Sequence, residues 1–232
     1  MRLKGLIVSA LTLTTCAVLA PSLAHADTIV WANWTAGVAG SPGSAAGNIG
    51  GIAVTYSGQT DGLTTVPTWT PSSSFSGGTV GNGPPPTASI MIEGGMPTLE
   101  TITFSSTIID PVFAIWSLGA ANTPASFDFE SKTSEPFTFI AGGPSTEFGG
   151  GPITVNGQIV NGAEGNGVIQ FTGAYSSITF TTPDPEFYYA FTVGNDTTLN
   201  PPDVPEPGTL SLFGLGILAL PLVRTKLSRR RS

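Results

Sequence analysis

The chain has 232 residues, 30 of them Gly and 20 Pro, and only 10% are charged, which excludes both a charge-rich disordered tail and a helical bundle. Lys, Arg, Glu and Gln are scarce while Thr, Ile, Val and Phe are plentiful, a balance that favours short strands joined by Gly/Pro turns. The formal charge of −7 is unevenly laid out: between positions 27 and 203, Lys132 alone stands against 14 acids, so this stretch carries −13 and repels nucleic acid and anionic membrane.

The first element is a signal peptide over residues 1–26. Arg2 and Lys4 give a positive start, Gly5 to Leu19 is apolar apart from Ser and Thr, and Ala24-His25-Ala26 is a small-x-small cleavage site. A cut after Ala26 makes Asp27 the new N-terminus and removes Cys16 and His25, the only Cys and His of the chain. The exported protein then has no disulfide to form, whatever the redox state outside the cytoplasm.

Residues 27–200 read as strands. Ile52 to Tyr56, Ser89 to Ile92, Leu99 to Phe104, Val112 to Leu118, Ser126 to Glu130, Pro136 to Ile140, Val168 to Thr172, Ser177 to Thr182 and Phe187 to Val193 are short and β-branched or aromatic, and Gly, Pro or Asn bounds them. Alternation puts Phe127 and Phe129 on one face, Ile178 and Phe180 on another, and Phe187, Tyr189, Phe191 and Val193 together on a third. Asn156-Gly157 between Ile153-Thr154-Val155 and Gln158-Ile159-Val160 predicts a hairpin with a two-residue loop. Pro71 through Ala88, with its Ser, Gly and Pro runs, predicts a long exposed loop. The expected fold is all-β: a single antiparallel β-sandwich, jelly-roll-like, between an N-terminal signal peptide and a C-terminal transmembrane helix.

Residues 201–232 form a tail of three parts. Val204-Pro205-Glu206-Pro207 follows a Pro-rich run; Gly208 to Val223 is an apolar stretch of 16 residues; Arg224, Lys226, Arg229, Arg230 and Arg231 close it with positive charge. As a helix the apolar stretch is roughly 24 Å long, short of a ~30 Å hydrocarbon core, so it spans as a modest anchor. The basic cluster stays cytoplasmic by the positive-inside rule, which puts the strand-rich part outside.

This order of Pro-Glu-Pro, apolar helix and basic end resembles the PEP-CTERM sorting signal of Gram-negative bacteria. The resemblance implies export by the general secretion machinery, a stay in the inner membrane, and recognition of Pro205, Glu206 and Pro207 by exosortase, which cuts near the motif and passes the protein to the cell surface or outside. The Pro residues suit that role, because they keep the segment extended for a protease cleft. The strand-rich part is also similar to a group of uncharacterised PEP-CTERM proteins through Trp31-Ala32-Asn33-Trp34-Thr35, Val54-Thr55-Tyr56-Ser57-Gly58, Asp110 to Gly119, Glu164 to Phe171 and Phe191-Thr192-Val193-Gly194. That likeness implies no activity.

Without His or Cys after residue 26 there is no Ser-His-Asp triad, no Cys-His pair and no His-based zinc site, and the chain is not expected to be an enzyme. A carboxylate pair of glycosidase type is formally available among Asp128, Glu130, Glu147, Glu164, Asp184 and Glu186, although such residues on an amphipathic strand usually form a solvated face. No cofactor is expected. Calcium is the one candidate ligand, with Glu164, Asp184, Glu186 and Asp196 as hard oxygen donors in loops, yet no Asp-x-Asp-x-Asp-Gly loop is present. Trp31, Trp34, Trp69 and Trp116 suit sugar stacking if exposed and a sandwich core if buried. Two functions follow: a non-catalytic surface or matrix protein, with exopolysaccharide as partner, or a secreted carbohydrate-binding or carbohydrate-active module.

Overall fold

The computed structural model describes residues 26–129 and 136–196. Residues 1–25, 130–135 and 197–232, which hold most of the signal peptide, Glu130, Lys132 and the whole 201–232 sorting tail, lie outside the described residues.

Apart from one 3-10 turn at Ser72–Ser74, the regular structure is all strand. The spine runs β10 (Gly151–Pro152), β13 (Gly165–Phe171), β7 (Val112–Leu118), β14 (Ala174–Asp196), β6 (Ser89–Ile109), β4 (Ile52–Thr60), β3 (Gly40–Ile49) and β2 (Asn33–Val38), each bonded to the next. Every pairing is antiparallel except the short parallel contact of β10 with β13. β1 (Ile29–Trp31) adds to β14, β5 (Gly62–Thr64) to β6, and β9 (Phe137–Gly142) to β13. A side ladder joins β8 (Ala125–Asp128), β12 (Ile159–Gly162) and β11 (Thr154–Asn156) to β14 at Thr181.

One continuous ladder becomes two facing layers because β6 and β14 bend sharply together. Phe180 and Phe191 belong to the same strand, and a straight strand at ~3.3 Å per residue would hold them roughly 36 Å apart. Their ring centroids are 5.6 Å apart. The bend falls where Gly94, Gly95, Pro183 and Pro185 occur, with register shifts on both sides of Pro185. Gly94 and Gly95 have φ of 69° and 70°, and a Cβ on Gly94 would lie 2.5 Å from the Asp184 carbonyl oxygen. These Gly and Pro residues divide the sequence into four apparent strands; in the fold they are bulges inside two long ones, the positions where a sheet tolerates Pro. The same shift removes Phe187 from the face it was expected to share: Tyr189, Phe191 and Val193 are buried, while Phe187 is 84% exposed.

Between the layers lies an aromatic core. Phe113 stacks on Phe191 at 4.9 Å and meets Phe127, Phe129 and Phe180 edge-on at 5.3–5.7 Å. β7 is buried on both faces, as its unbroken apolar run requires. Phe113 and Ile115 enter this core, whereas Val112, Ala114 and Trp116 face outward into a second cluster with Trp31, Trp69, Phe75 and Val80. The outer cover comes from the Pro/Gly/Ser segment 71–88. That segment is irregular, but it is not simply an exposed loop, because Ser74, Phe75 and Val80 are buried. Asn82 fastens it: its Oδ1 accepts from Ile29 N at 2.7 Å, and its carbonyl accepts from Trp31 Nε1 at 3.1 Å. The 153–160 hairpin forms one residue further on than expected, with Asn156 paired to Ile159 and Gly157 at φ 63° as the first loop residue, the position a type II′ turn gives to Gly.

Candidate functional site

At the end of β7 the backbone takes an unusual course. Ser117 (φ 56°) and Glu164 (φ 57°) both occupy the left-handed region, which non-Gly residues seldom enter. Ser117 bulges the β7–β13 pairing between Gly165 and Gly167, which turns Leu118 into the core. Polar bonds hold the pair in place. Ser117 Oγ donates to Glu164 Oε2 at 2.6 Å, and Ser117 N donates to Asn166 Oδ1 at 2.9 Å. Asn166 Nδ2 in turn donates to the carbonyls of Glu164 and Gly149 at 3.0 and 3.2 Å. The neighbouring loop closes so tightly that a Cβ on Gly150 would lie 1.9 Å from the Glu164 carbonyl oxygen, so only Gly fits. Gly119 N donates to Glu186 Oε2 at 2.7 Å, bringing the bend of β14 alongside.

Glu186 is half-buried. Burial pushes its carboxyl up to about 7, the Gly119 N–H opposes that rise, and the nearby charge of Glu164 adds to it. No basic side chain occurs among the described residues to offset the two acids. Glu147 behaves oppositely: burial alone would raise it, but bonds from Thr68 and from Trp116 Nε1 (2.9 Å) outweigh burial and lower it. An aromatic cluster adjoins Glu147 through the Trp116 Nε1 bond. Trp116 contacts Phe148 at 5.3 Å and Tyr188 at 6.2 Å, and Phe187 contacts Tyr188 at 5.6 Å. Trp116 is buried, Phe148 is 49% exposed, and Phe187 is almost bare.

A second acidic centre sits inside the sandwich. Glu100 is fully buried; its Oε1 accepts from Thr182 Oγ1 at 2.5 Å and its Oε2 meets the Tyr56 hydroxyl. Tyr56 also donates to the Gln59 carbonyl at 2.5 Å. One phenolic proton cannot serve both oxygens, so a protonated Glu100 completes the chain by donating to Tyr56 while Tyr56 donates to Gln59. Burial pushes this carboxyl up to about 7, against the lowering effect of the Thr182 and Tyr56 hydroxyls. With both oxygens engaged in the interior, Glu100 is a structural acid.

The residues singled out from sequence distribute as follows. Glu164 and Glu186 come together. Asp184 accepts from Ser126 Oγ at 2.5 Å on β8, and Asp196 pairs with Ile29 at the far end of β14, buried. Among the described residues no three His, Cys, Asp or Glu gather where a metal ion could be held, so the four proposed calcium donors do not form one site. The four Trp are all buried, which assigns them to the core and leaves Phe139, Phe148 and Phe187 as the exposed aromatics, with Tyr188 half-buried beside the last two. Sequence reading missed that set because the exposure of Phe187 depends on a bulge that strand alternation does not reveal. A shallow hollow over β2, β3 and β4, lined by Gly37, Val38, Ala46 and Thr55 among others, offers no carboxylate. Ala26 is exposed, and backbone bonding starts with Asp27 N to the Thr79 carbonyl at 2.9 Å. Ala24 and the basic cluster lie outside the described residues, as do Pro205, Glu206 and Pro207.

The tail is where a known family meets this chain. A family model for the PEP-CTERM protein-sorting motif matches residues 203–231. This chain carries a PEP-CTERM sorting motif. The match takes in Pro205, Glu206 and Pro207, the apolar stretch and the arginines, and it makes the protein an exported one that exosortase processes. No curated protein and no solved structure matches the chain. The strand-rich part lies outside the matched residues, and among the described residues no helix is long and apolar enough to cross a membrane.

Proposed function

We propose that this PEP-CTERM protein is a non-catalytic component of the cell surface or of the surrounding exopolysaccharide matrix, delivered by signal-peptide cleavage after Ala26 and exosortase cleavage near Pro205-Glu206-Pro207. The sorting motif over residues 203–231 carries this reading. Two further observations support it. Ala26 is exposed immediately before Asp27, where backbone bonding among the described residues begins, and this position suits a cut after Ala26. After that cut the protein has neither His nor Cys, and Glu100 and Glu147, two of the acids with shifted protonation, are tied to hydroxyl or ring N–H donors rather than facing open space. Before processing, Gly208 to Val223 holds the protein in the inner membrane, with Arg224, Lys226, Arg229, Arg230 and Arg231 on the cytoplasmic side.

The test is surface display. Pro205→Ala with Glu206→Ala leaves the apolar stretch and its charges intact, so the variant should insert but stay in the inner membrane, protected from protease added outside the cell. Equal surface accessibility of variant and parent would reject exosortase recognition of Pro-Glu-Pro and leave a plain tail anchor. Carbohydrate binding is a second reading, favoured by the exposed Phe148 and Phe187 beside carboxylates, and no longer by the buried Trp residues.

A further inference from the structure

Large apolar side chains exposed singly are common on proteins, but a cluster of exposed rings held rigidly beside charged groups marks a binding surface. Phe148 and Phe187 flank Tyr188, with centroids 6.3 and 5.6 Å from its ring, and Tyr188 is itself stacked on buried Trp116. The rings are thus braced from beneath rather than free to collapse. Glu164 bonds to Ser117, the residue after Trp116, and Glu186 precedes Phe187; each uses Oε2 for an internal bond and leaves Oε1 without a protein partner among the described residues. Half-buried Glu186 lies beside the charge of Glu164, and no basic side chain occurs among the described residues.

We propose that the Phe148–Tyr188–Phe187 platform binds an amino-bearing polysaccharide, stacking the C–H face of a hexosamine on the rings and pairing its ammonium with Glu164 and Glu186. This rests on the matrix reading above for the ligand's availability. Charge decides the ligand class. The −13 between residues 27 and 203 repels acidic polymers, while the two unspent carboxylate oxygens and the negative ring faces attract a cation. A neutral sugar would satisfy the rings and leave the carboxylates uncompensated. A basic peptide would supply the charge without the rigid C–H face. A hexosamine polymer supplies both on one ring.

Titration calorimetry on the purified exported protein with fully deacetylated glucosamine hexaose, N-acetylglucosamine hexaose and hexalysine tests this. The deacetylated sugar should bind roughly tenfold or more tightly than the other two, and binding should release protons as Glu186 ionises. Phe187→Ala and Glu186→Gln should each weaken it several-fold. Phe187 is so exposed that its loss leaves the fold intact, and in Glu186→Gln the side-chain amide oxygen still accepts from Gly119 N; unchanged circular dichroism checks both. Equal binding of the acetylated sugar, equal binding of hexalysine, no binding at all, or full affinity in Phe187→Ala would each overturn the proposal. None of these results bears on the sorting reading, which rests on surface display.

Discussion

Replacing Glu100 by Gln should flatten the dependence of this protein's stability on pH. Gln keeps the network of the protonated acid: its oxygen accepts from Thr182, and its amide donates to Tyr56, which still donates to Gln59. The parent holds Glu100 at about 7 against an ordinary value of 4.5. Because the folded state binds this proton more tightly than the unfolded chain does, its stabilising effect is complete below about pH 4.5 and is lost as pH rises through about 7. The difference corresponds to roughly 3 kcal/mol across the window. Urea unfolding of parent and variant from pH 4.5 to 8 reads it directly. The two should be similar at the acid end, and the variant should be the more stable above pH 7. Glu186, also raised to about 7, adds a slope of the same sign to both proteins, smaller because it is partly solvated. A variant with the parent's pH slope would show that Glu100 is ionised in the fold and that the proton count around Tyr56 is wrong.

Phe113→Ala should cost about 3–5 kcal/mol in denaturant unfolding, since this ring contacts four others between the layers. Phe75→Ala should instead loosen the 71–88 cover, seen as faster amide exchange at Gly77 and Val80 with β6–β14 protection unchanged. Added salt should raise the thermal midpoint by screening repulsion among the acids, and Ca²⁺ should raise it no more than Mg²⁺ at equal ionic strength, because the proposed donors are not gathered.

The elements legible in the sequence were those whose signal is local. β7 forms with the expected bounds, Val112–Leu118, because an unbroken apolar run has no alternative to burial on both faces. The sorting tail is legible for another reason: its signal is the order of residues alone, Pro-Glu-Pro, apolar stretch and basic end. β3 was invisible. Its Gly, Ser and Ala residues have little strand preference and it forms because β4 pairs along its length, from Ile49–Ile52 to Gly40–Thr60. Glu100 was hidden inside an apparently amphipathic strand; only the fold brings Tyr56 and Thr182 to it. The Glu164–Glu186 pair was named among candidate donors, but its approach depends on bulges at Ser117 and Pro185 that no period-2 pattern shows.

The central claim is that exosortase removes the tail of this protein at its Pro-Glu-Pro segment, and intact mass of the surface-exposed protein tests it most directly. The account predicts a species that begins at Asp27 and lacks Gly208 to Ser232, while protein carrying Pro205→Ala and Glu206→Ala keeps those residues. A surface form of the parent whose mass still includes the apolar stretch and the arginines would contradict it.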